Sequence, residues 1–504
     1  MSRYMDVFNK RVLDRKKYYG LIFLFLTIIL IAEKNFVGLP KKAIIFLSIV
    51  TFFVIFLWSE KIEKNVLLIS LTFSMVFAVL SPVFDVWDEP AHFTRVEYIS
   101  EGNLVLTNNK EDHYVTKDQK MLEKRTKYLS KKHDALPNFF ELKLWEYKHD
   151  QEKEYQYQVP VTNAYGTIGY LPSVLGYNVG KVISNNNLGV MFYLGRMFNA
   201  LFYSLCAYLA VKLAGKWKYI LAFFSLQPVI IYAAGSYNQD AFSYGVMLLI
   251  ISLFFKMIQN VDEKVTYQDL FIYITLCSIL AFAKLPYIVL AGLLFFIPYR
   301  KFKDKKMYIS MLGGIVLVII ISLIWFVLYS RIEGLASTNK DADVARQINY
   351  IVHHVKEFLG TIFTSMYITI TKYGQLSSYG WDRKGSQVQA IVNILFIGII
   401  FVFPMKDVEK VSWWTKFGIV FLSLLTSFLI YLSMYLTWTN VGDNYVSGVQ
   451  GRYFIGLLML MPVILNCSKY IGNIEENKYT KYMPQVMAFI LLTWSIASRI
   501  GIYY

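Results

Sequence analysis

The sequence has little cysteine, little charge and none of the short motifs that bind nucleotides. Its three cysteines, Cys206, Cys277 and Cys467, lie in or beside apolar segments without paired spacing or a histidine cluster, which argues against a disulfide framework or a zinc site. No Walker-type loop or dinucleotide fingerprint is present, so an ATP-driven pump and a cytoplasmic nucleotide-sugar enzyme are both disfavoured. Internal repeats and low-complexity tracts are also lacking.

Long apolar runs take the place of these features. Of the 504 residues, 56% are hydrophobic and 17% are charged. A spanning helix needs roughly 20 mostly apolar residues, and about a dozen stretches meet or nearly meet that length. The first run, 18–32, is short and has no small-residue cleavage site after its basic flank, so we interpret it as an uncleaved span. The sequence predicts an all-α integral membrane protein with about 13 transmembrane helices, in a range of roughly 12 to 14.

The basic residues indicate orientation. The net charge of +16 is spread over short loops and forms no basic domain, which argues against a nucleic-acid partner. Lys and Arg concentrate in alternate loops, which places the N-terminus in the cytoplasm and two long polar segments outside. The predicted divisions are helices 1–3 in 1–83, a first outer loop in 84–185, helices 4–9 in 186–330, a second outer loop in 331–387, and helices 10–13 in 388–504.

The densest polar cluster directly follows the third apolar run. Pro90 in a first turn and Gly102 after the last periodic residue predict a short helix. Asp88 would then stand at its N-terminus, beside Glu89. A helix N-terminus favours the ionised carboxylate, so we expect Asp88 to be charged at neutral pH. The alternative is that Asp88 only caps the helix.

His92 and Arg95 would share one face of this helix with Asp88, at spacings of four and seven residues. They could bind a phosphate in a functional site, or simply lipid headgroups. Further polar residues are predicted at the same outer level; these are Arg196, Asn238, Asp240, Lys284, Gln450, Arg452 and Tyr453. An ionisable residue in or beside a span is a functional-site hypothesis, although each one alone could instead snorkel to the interface.

An outer-face site has no supply of nucleotides, so a group-transfer enzyme there needs a donor carried by a lipid phosphate. Arg452, Arg196 and Lys284 are suited to hold that phosphate, with Gln450 nearby. Asp88 or Glu89 could then serve as general base toward an acceptor hydroxyl. The spacing of these residues requires no metal ion, although it leaves room for a divalent cation.

Several motifs together resemble one bacterial membrane protein family, domain of unknown function 2142 (DUF2142). They are Asp88-Glu-Pro-Ala-His-Phe-Thr-Arg95, Thr162-Asn-Ala-Tyr165-Gly166, Gly195-Arg196, Ser236-Tyr-Asn238-Gln-Asp240 and Gly448-Val-Gln450-Gly-Arg452-Tyr453. The family looks like part of the GT-C superfamily of membrane glycosyltransferases, which use polyprenyl-phosphate sugars. The resemblance implies a GT-C-like fold, a catalytic carboxylate at Asp88 with Glu89 beside it, and donor recognition by Gln450 and Arg452. Tyr165, Asn238, Asp240 and Tyr453 are then acceptor or structural residues.

The first functional hypothesis is thus a GT-C glycosyltransferase that transfers sugar from a polyprenyl-phosphate donor to a cell-envelope glycan or teichoic acid. It would work in the lipid membrane with a polyprenyl-phosphate sugar synthase and a flippase as partners. A polymerase or ligase of envelope glycans is a close variant. The alternative from another class is a transporter or flippase of lipid-linked polysaccharide, for which we expect charges at the membrane midplane or broken helices.

Overall fold

The structure is a computed structural model, and it describes most of the chain. The described residues are 5–6, 9–34, 41–105, 114–126, 136–150, 152–155, 162, 165–259, 263–330, 342–372, 376–379, 383–384, 386–403, 410–466 and 478–504. Cys467 lies outside them. The helices in the first half of the chain are α1 (Lys16–Lys34), α2 (Lys41–Leu57), α3 (Ile62–Leu80), α4 (Glu89–Ser100), α5 (Lys117–Thr126), α6 (Phe139–Leu142), α7 (Leu171–Ile183), α8 (Leu188–Leu213), α9 (Lys218–Phe224), α10 (Pro228–Ala234) and α11 (Gln239–Gln259).

The second half is also helical. Its helices are α12 (Tyr267–Ala283), a 3-10 helix (Leu285–Phe296), α13 (Lys305–Ser330), α14 (Val344–His353), α15 (Val355–Thr371), α16 (Gln387–Phe401), α17 (Trp413–Thr437), a 3-10 turn (Gly451–Phe454), α18 (Ile455–Leu458), α19 (Met461–Leu465) and α20 (Lys478–Tyr503). Short π and 3-10 turns connect some of these helices, and there are two small antiparallel sheets among the described residues: β1 (Tyr114–Thr116) with β2 (Lys153–Tyr155), and β3 (Ser378–Tyr379) with β4 (Arg383–Lys384).

Six described helices are long and apolar enough to cross a membrane: α3, α8, α11, α13, α17 and α20. The pair α9 and α10 also passes this test when taken together, but it is bent by 76° at the break between its members. Five shorter apolar helices accompany them in the described residues. The expected helical membrane protein is confirmed at this level, while the count of 13 crossings stays a prediction.

The helices differ in how much of their surface the protein covers. In α11, 83% of an 18-residue apolar stretch is buried inside the molecule, whereas in α13 the corresponding share is 17%. The high burial of α11 places it at the centre of the bundle. Since α13 is at least as apolar but mostly exposed, it presents its side chains outward, as a lipid-facing helix does. The main core runs through α3, α8, α9, α10, α11 and α20.

The first predicted loop folds onto one end of this bundle. Helices α4 to α7 and the start of α8 enclose an apolar cluster of their own, which includes Phe84, Phe93, Tyr177 and Tyr237. The described part of this segment contains more helix than strand. In the second predicted loop, α14 exposes Val344, Ile348 and Val352 at four-residue spacing, which is typical of a helix lying on a membrane surface.

Candidate functional site

A sharp turn joins α3 to α4 and carries the two acidic residues singled out above. The predicted short helix is confirmed as Glu89–Ser100, with Pro90 in its first turn and Gly102 just past its end at φ +93°. Asp88 precedes the helix at φ +55°, a left-handed conformation that Asp tolerates better than most residues. Such conformations concentrate at functional sites.

Asp88 does not cap the helix with its side chain. Its carboxylate makes no hydrogen bond to any residue in the described part of the chain, and the residue keeps part of its surface exposed. Burial raises the pKa of Asp88 to about 6, an effect that the positive charge of Arg452 opposes and the negative charge of Asp240 reinforces. The helix N-terminus is expected to lower the pKa of Asp88, but burial has the larger effect and raises it. At pH 7 the carboxylate is still ionised in most molecules.

Two cations on one carboxylate form the second part of the site, here called the cationic wall, and the charges of Arg452 and Asp240 act on Asp88. Asp240, at the start of α11, accepts hydrogen bonds from Lys284 Nζ at 2.5 Å and from Arg452 Nε at 3.0 Å. All three side chains are largely buried, and the group carries one positive charge in excess. It therefore favours an anion nearby, and the Asp88 carboxylate is one.

Aromatic rings hold these cations in place. The Arg452 guanidinium lies 4.0 Å from the centre of the Trp87 ring, and Lys284 Nζ lies 4.4 Å from that of Tyr453. Gln450 accepts a hydrogen bond from Arg452 Nη1. Within the described residues, Arg452 Nη2 donates to no partner. Its N–H groups are therefore available to a ligand.

The charges of Asp240 and Arg452 also act on His92, in α4, and on Tyr165. The rings of His92 and Tyr165 stack with centres 6.1 Å apart, and His92 Nδ1 lies 2.8 Å from the Tyr170 hydroxyl. Burial lowers the pKa of His92 to about 4, so the ring is neutral at pH 7. His92 can therefore position a ligand by hydrogen bonding, but it adds no positive charge to a phosphate site.

Glu89 and Arg196 form a separate, fully enclosed ion pair. Arg196 Nε and Nη2 donate to the two carboxylate oxygens at 2.8 and 2.6 Å, and both side chains are 0% exposed. The other guanidinium N–H groups donate to the carbonyls of Ala78, Ser81 and Pro82. Glu89 also accepts the backbone N–H groups of Phe84 and Tyr237.

This arrangement differs from the predicted roles. Arg196 has no N–H left for a phosphate, and every oxygen of Glu89 is occupied and closed off from solvent. Both residues fix the turn that carries Asp88, and we do not include either in the candidate site.

Two more predicted residues lie at the edge of the site. Arg95 is buried against the Tyr98 ring, and its Nε and Nη1 have no hydrogen-bond partner among the described residues. Asn238 accepts the backbone N–H of Asp240 at 2.7 Å and so fixes the start of α11. This contact favours the structural role of the two predicted for Asn238.

A family model described as a predicted membrane protein, DUF2142, matches residues 71–461. The chain belongs to this family. The match includes Asp88, Asp240, Lys284 and Arg452, so the whole candidate site lies inside the DUF2142 region. The resemblance drawn from the motifs is confirmed. No curated protein and no solved structure matches the chain.

Several residues that hold this DUF2142 site together were not predicted. Tyr244 and Tyr287 donate their hydroxyls to the carbonyls of Arg452 and Tyr453, the latter at 2.7 Å, and so fix the 3-10 turn. Trp87 supplies the ring beneath Arg452. The only sequence signal for Trp87 is its position next to Asp88, and the tyrosines lie among many aromatic residues in apolar segments.

A second buried acid lies three residues before Asp88. Asp85 accepts hydrogen bonds from the Tyr232 hydroxyl at 2.5 Å and from the Tyr503 hydroxyl, and it faces Arg499 at 3.6 Å. This group ties the turn to α20 and was also not predicted. Asp85, Asp88 and Glu89 thus share one short segment, but among them only Asp88 lacks a hydrogen-bonded partner in the described structure.

Proposed function

We propose that this DUF2142 protein is a GT-C-type membrane glycosyltransferase that moves a sugar from a polyprenyl-phosphate donor to a cell-envelope glycan or glycopolymer. The observation that carries the proposal is the Asp88 carboxylate, which has no hydrogen-bonded partner among the described residues and lies within the electrostatic influence of the Asp240–Lys284–Arg452 group. A free base and a cationic wall are the two parts that an inverting transfer from a phosphate needs.

The cationic wall suits the donor phosphate. The guanidinium of Arg452 can bind phosphate oxygens through its Nη2 direction, while Lys284 contributes a second charge. Asp240 holds both cations and is a positioning residue. As the bond from the anomeric carbon to the phosphate oxygen breaks, negative charge grows on the leaving phosphate, and the excess positive charge of this group stabilises it.

Asp88 supports the other half of the reaction. The acceptor hydroxyl attacks the anomeric carbon, its oxygen forms the new glycosidic bond, and its proton passes to an oxygen of Asp88. The polyprenyl phosphate leaves with the electron pair of the broken bond. A pKa of about 6 leaves Asp88 deprotonated at neutral pH yet basic enough to accept the proton.

The topology and partners complete the proposal. The loop charges favour the site on the outer face, with the N-terminus in the cytoplasm. The donor would come from a polyprenyl-phosphate sugar synthase followed by a flippase, and the acceptor from the envelope glycan pathway. We assign no divalent cation to this step.

One observation favours the alternative, a flippase of lipid-linked polysaccharide or a related transporter. The α9–α10 pair is bent by 76°, and Gln227 at the break is buried with no described partner for its amide oxygen or nitrogen. Broken helices with free polar groups line transport sites in many carriers. However, no Asp, Glu, Lys or Arg lies at this break, between 219 and 239.

Purified protein in liposomes should distinguish the two. We expect sugar from a labelled polyprenyl-phosphate donor to enter polymer when the acceptor comes from membranes of a strain that lacks the gene. The same donor without acceptor should give no new glycosidic bond. If wild-type protein moved lipid-linked glycan between leaflets and formed no bond, the transferase proposal would be wrong and the transporter supported.

A further inference from the structure

A second cluster of chemically active side chains lies away from Asp88, inside the first predicted loop. Glu97 of α4, Asp118 of α5 and His149 each offer one ligand atom, and these atoms all lie within 4.8 Å of one another. His149 Nδ1 contacts Asp118 Oδ2 directly. The three side chains are nearly closed to solvent, at 2% for residue Glu97, 4% for the Asp118 side chain and 3% for that of His149.

A surrounding shell of hydrogen bonds orients each of these groups. The Thr116 hydroxyl donates to Glu97 Oε2 at 2.9 Å, and the Tyr177 hydroxyl donates to Glu97 Oε1 at 3.1 Å. The backbone N–H of Asp150 donates to both oxygens of Asp118 at 3.2 Å. Metal ligands are commonly fixed by partners of this kind.

The backbone of His149 is fixed as well. Its N–H donates to the Asn186 carbonyl at 2.8 Å, and the carbonyl of Tyr147 accepts the N–H of Leu188 at 2.9 Å. Both contacts join this segment to the start of α8. The imidazole is therefore held beside the two carboxylates by the bundle itself, rather than by a free loop.

The one basic group that pairs with this cluster in the described residues is His149, which faces Asp118 and can offset at most one of the two carboxylates when it is protonated. Glu97 and Asp118 place two carboxylates in a space closed to water, and no Lys or Arg in the described residues forms an ion pair with either. Two buried like charges at this separation destabilise each other unless a proton or a cation lies between them. A divalent cation would neutralise both.

We propose that Glu97, Asp118 and His149 bind one divalent transition-metal ion, with Zn²⁺ as the best match to a set of one nitrogen and two carboxylate oxygens. Imidazole and carboxylate both bind Zn²⁺, whereas Mn²⁺ is suited mainly by the two carboxylates, and Ca²⁺ and Mg²⁺ prefer oxygen ligands. The bonds form from Zn²⁺ to His149 Nδ1 and to one oxygen of each carboxylate, and any proton shared at Nδ1 leaves to solvent.

The position of the site indicates a structural role. Glu97 follows His92 by five residues and so lies about 140° around α4 from it, facing away from the Asp88 site. The metal would join the end of α4 to α5 and to the segment before β2. It would stabilise the loop that carries the candidate site without contacting the reacting groups.

Metal content and unfolding temperature test this proposal without any assay of activity. Full-length protein is purified in detergent from cells grown with added Zn²⁺ or, separately, Mn²⁺, and its metal is measured by mass spectrometry. We expect close to one Zn²⁺ per chain. A strong chelator should lower the unfolding midpoint by about 5 °C, the shift expected when a tightly bound ligand of the folded state is removed.

Variants at the ligands locate the metal. Glu97→Gln and His149→Gln should each reduce the metal content at least tenfold, while His353→Gln, an exposed histidine in α14, should retain it. The proposal is overturned if wild-type protein carries no Zn²⁺ or Mn²⁺, or if both ligand variants retain it. If the variants fail to fold, the metal content and chelator response of the wild type still decide the question.

Discussion

Asp88 and Glu89 are neighbours in sequence with the same chemical group and very different surroundings. The Glu89 carboxylate is fully enclosed and receives hydrogen bonds from Arg196 and from two backbone N–H groups. The Asp88 carboxylate is partly exposed and receives none from the described residues. One peptide bond therefore separates a residue that fixes the fold from one that is available for chemistry.

The comparison shows how hydrogen-bond satisfaction separates the two roles. A carboxylate whose oxygens are all occupied stabilises the structure but has no capacity for a substrate. A carboxylate kept in a left-handed turn, with a raised pKa and within the electrostatic influence of a cationic group, has that capacity.

The largest effect is expected from breaking the enclosed pair. Arg196→Met would leave the Glu89 charge buried without a cation, held only by two backbone N–H groups, and would remove the guanidinium that donates to three backbone carbonyls. We expect a loss of about 3–5 kcal/mol in the free energy of unfolding. The thermal unfolding midpoint of the protein in detergent measures this. Lys212→Met, an exposed residue on the same helix, is the control; equal midpoints for the two variants would contradict a structural role for the pair.

Asp88→Asn should lower activity and leave stability unchanged. Its side chain makes no capping bond, and Asn tolerates the left-handed conformation, so the unfolding midpoint should stay unchanged. Loss of the base should lower turnover roughly 100-fold. Sugar transfer by purified protein measures this, with Asp443→Asn, a partly exposed aspartate in another turn, as the control. Transfer at the wild-type rate would remove Asp88 from the mechanism.

Arg452→Lys tests the cationic wall. Lysine keeps the charge but loses the planar fork and its stacking on Trp87. We expect a loss of about 2 kcal/mol, roughly 30-fold, in kcat/KM for the polyprenyl-phosphate donor. Arg300→Lys, an exposed arginine, should be neutral. An unchanged KM and kcat in Arg452→Lys would show that this guanidinium does not bind the donor.

The pH profile gives the smallest effect. The base must be deprotonated, so activity should be constant well above pH 6 and fall about tenfold per pH unit well below it, as Asp88 takes up a proton. His92 is neutral throughout this range and does not contribute. The residual activity of Asp88→Asn should lack this decline. A wild-type profile that stays flat down to pH 5 would assign the base to another group.

The sequence predicted the helix after Asp88 because its start and end signals, Pro90 and Gly102, are local. It also predicted one common outer level for Asp240, Lys284 and Arg452, because residues at one end of neighbouring spans share a level of the membrane, but it did not predict that Asp240 pairs with both cations. It could not predict that Arg196 pairs with Glu89, since that choice depends on how α8 packs against the turn 107 positions earlier. The association of Glu97, Asp118 and His149 depends on long-range packing in the same way.

The 3-10 helix from Leu285 to Phe296 has a mechanical consequence for Lys284, which directly precedes it. At roughly 2.0 Å per residue its 12 residues extend roughly 24 Å, whereas the same residues would extend roughly 18 Å as an α-helix. Rewinding this segment would therefore shorten it by roughly 6 Å, enough to draw the Lys284 ammonium away from Asp240. A change between the 3-10 and the α-helical form of this segment would thus change the position of one of the two cations. Spin labels at the two ends of the segment would measure any change in its length when the donor binds.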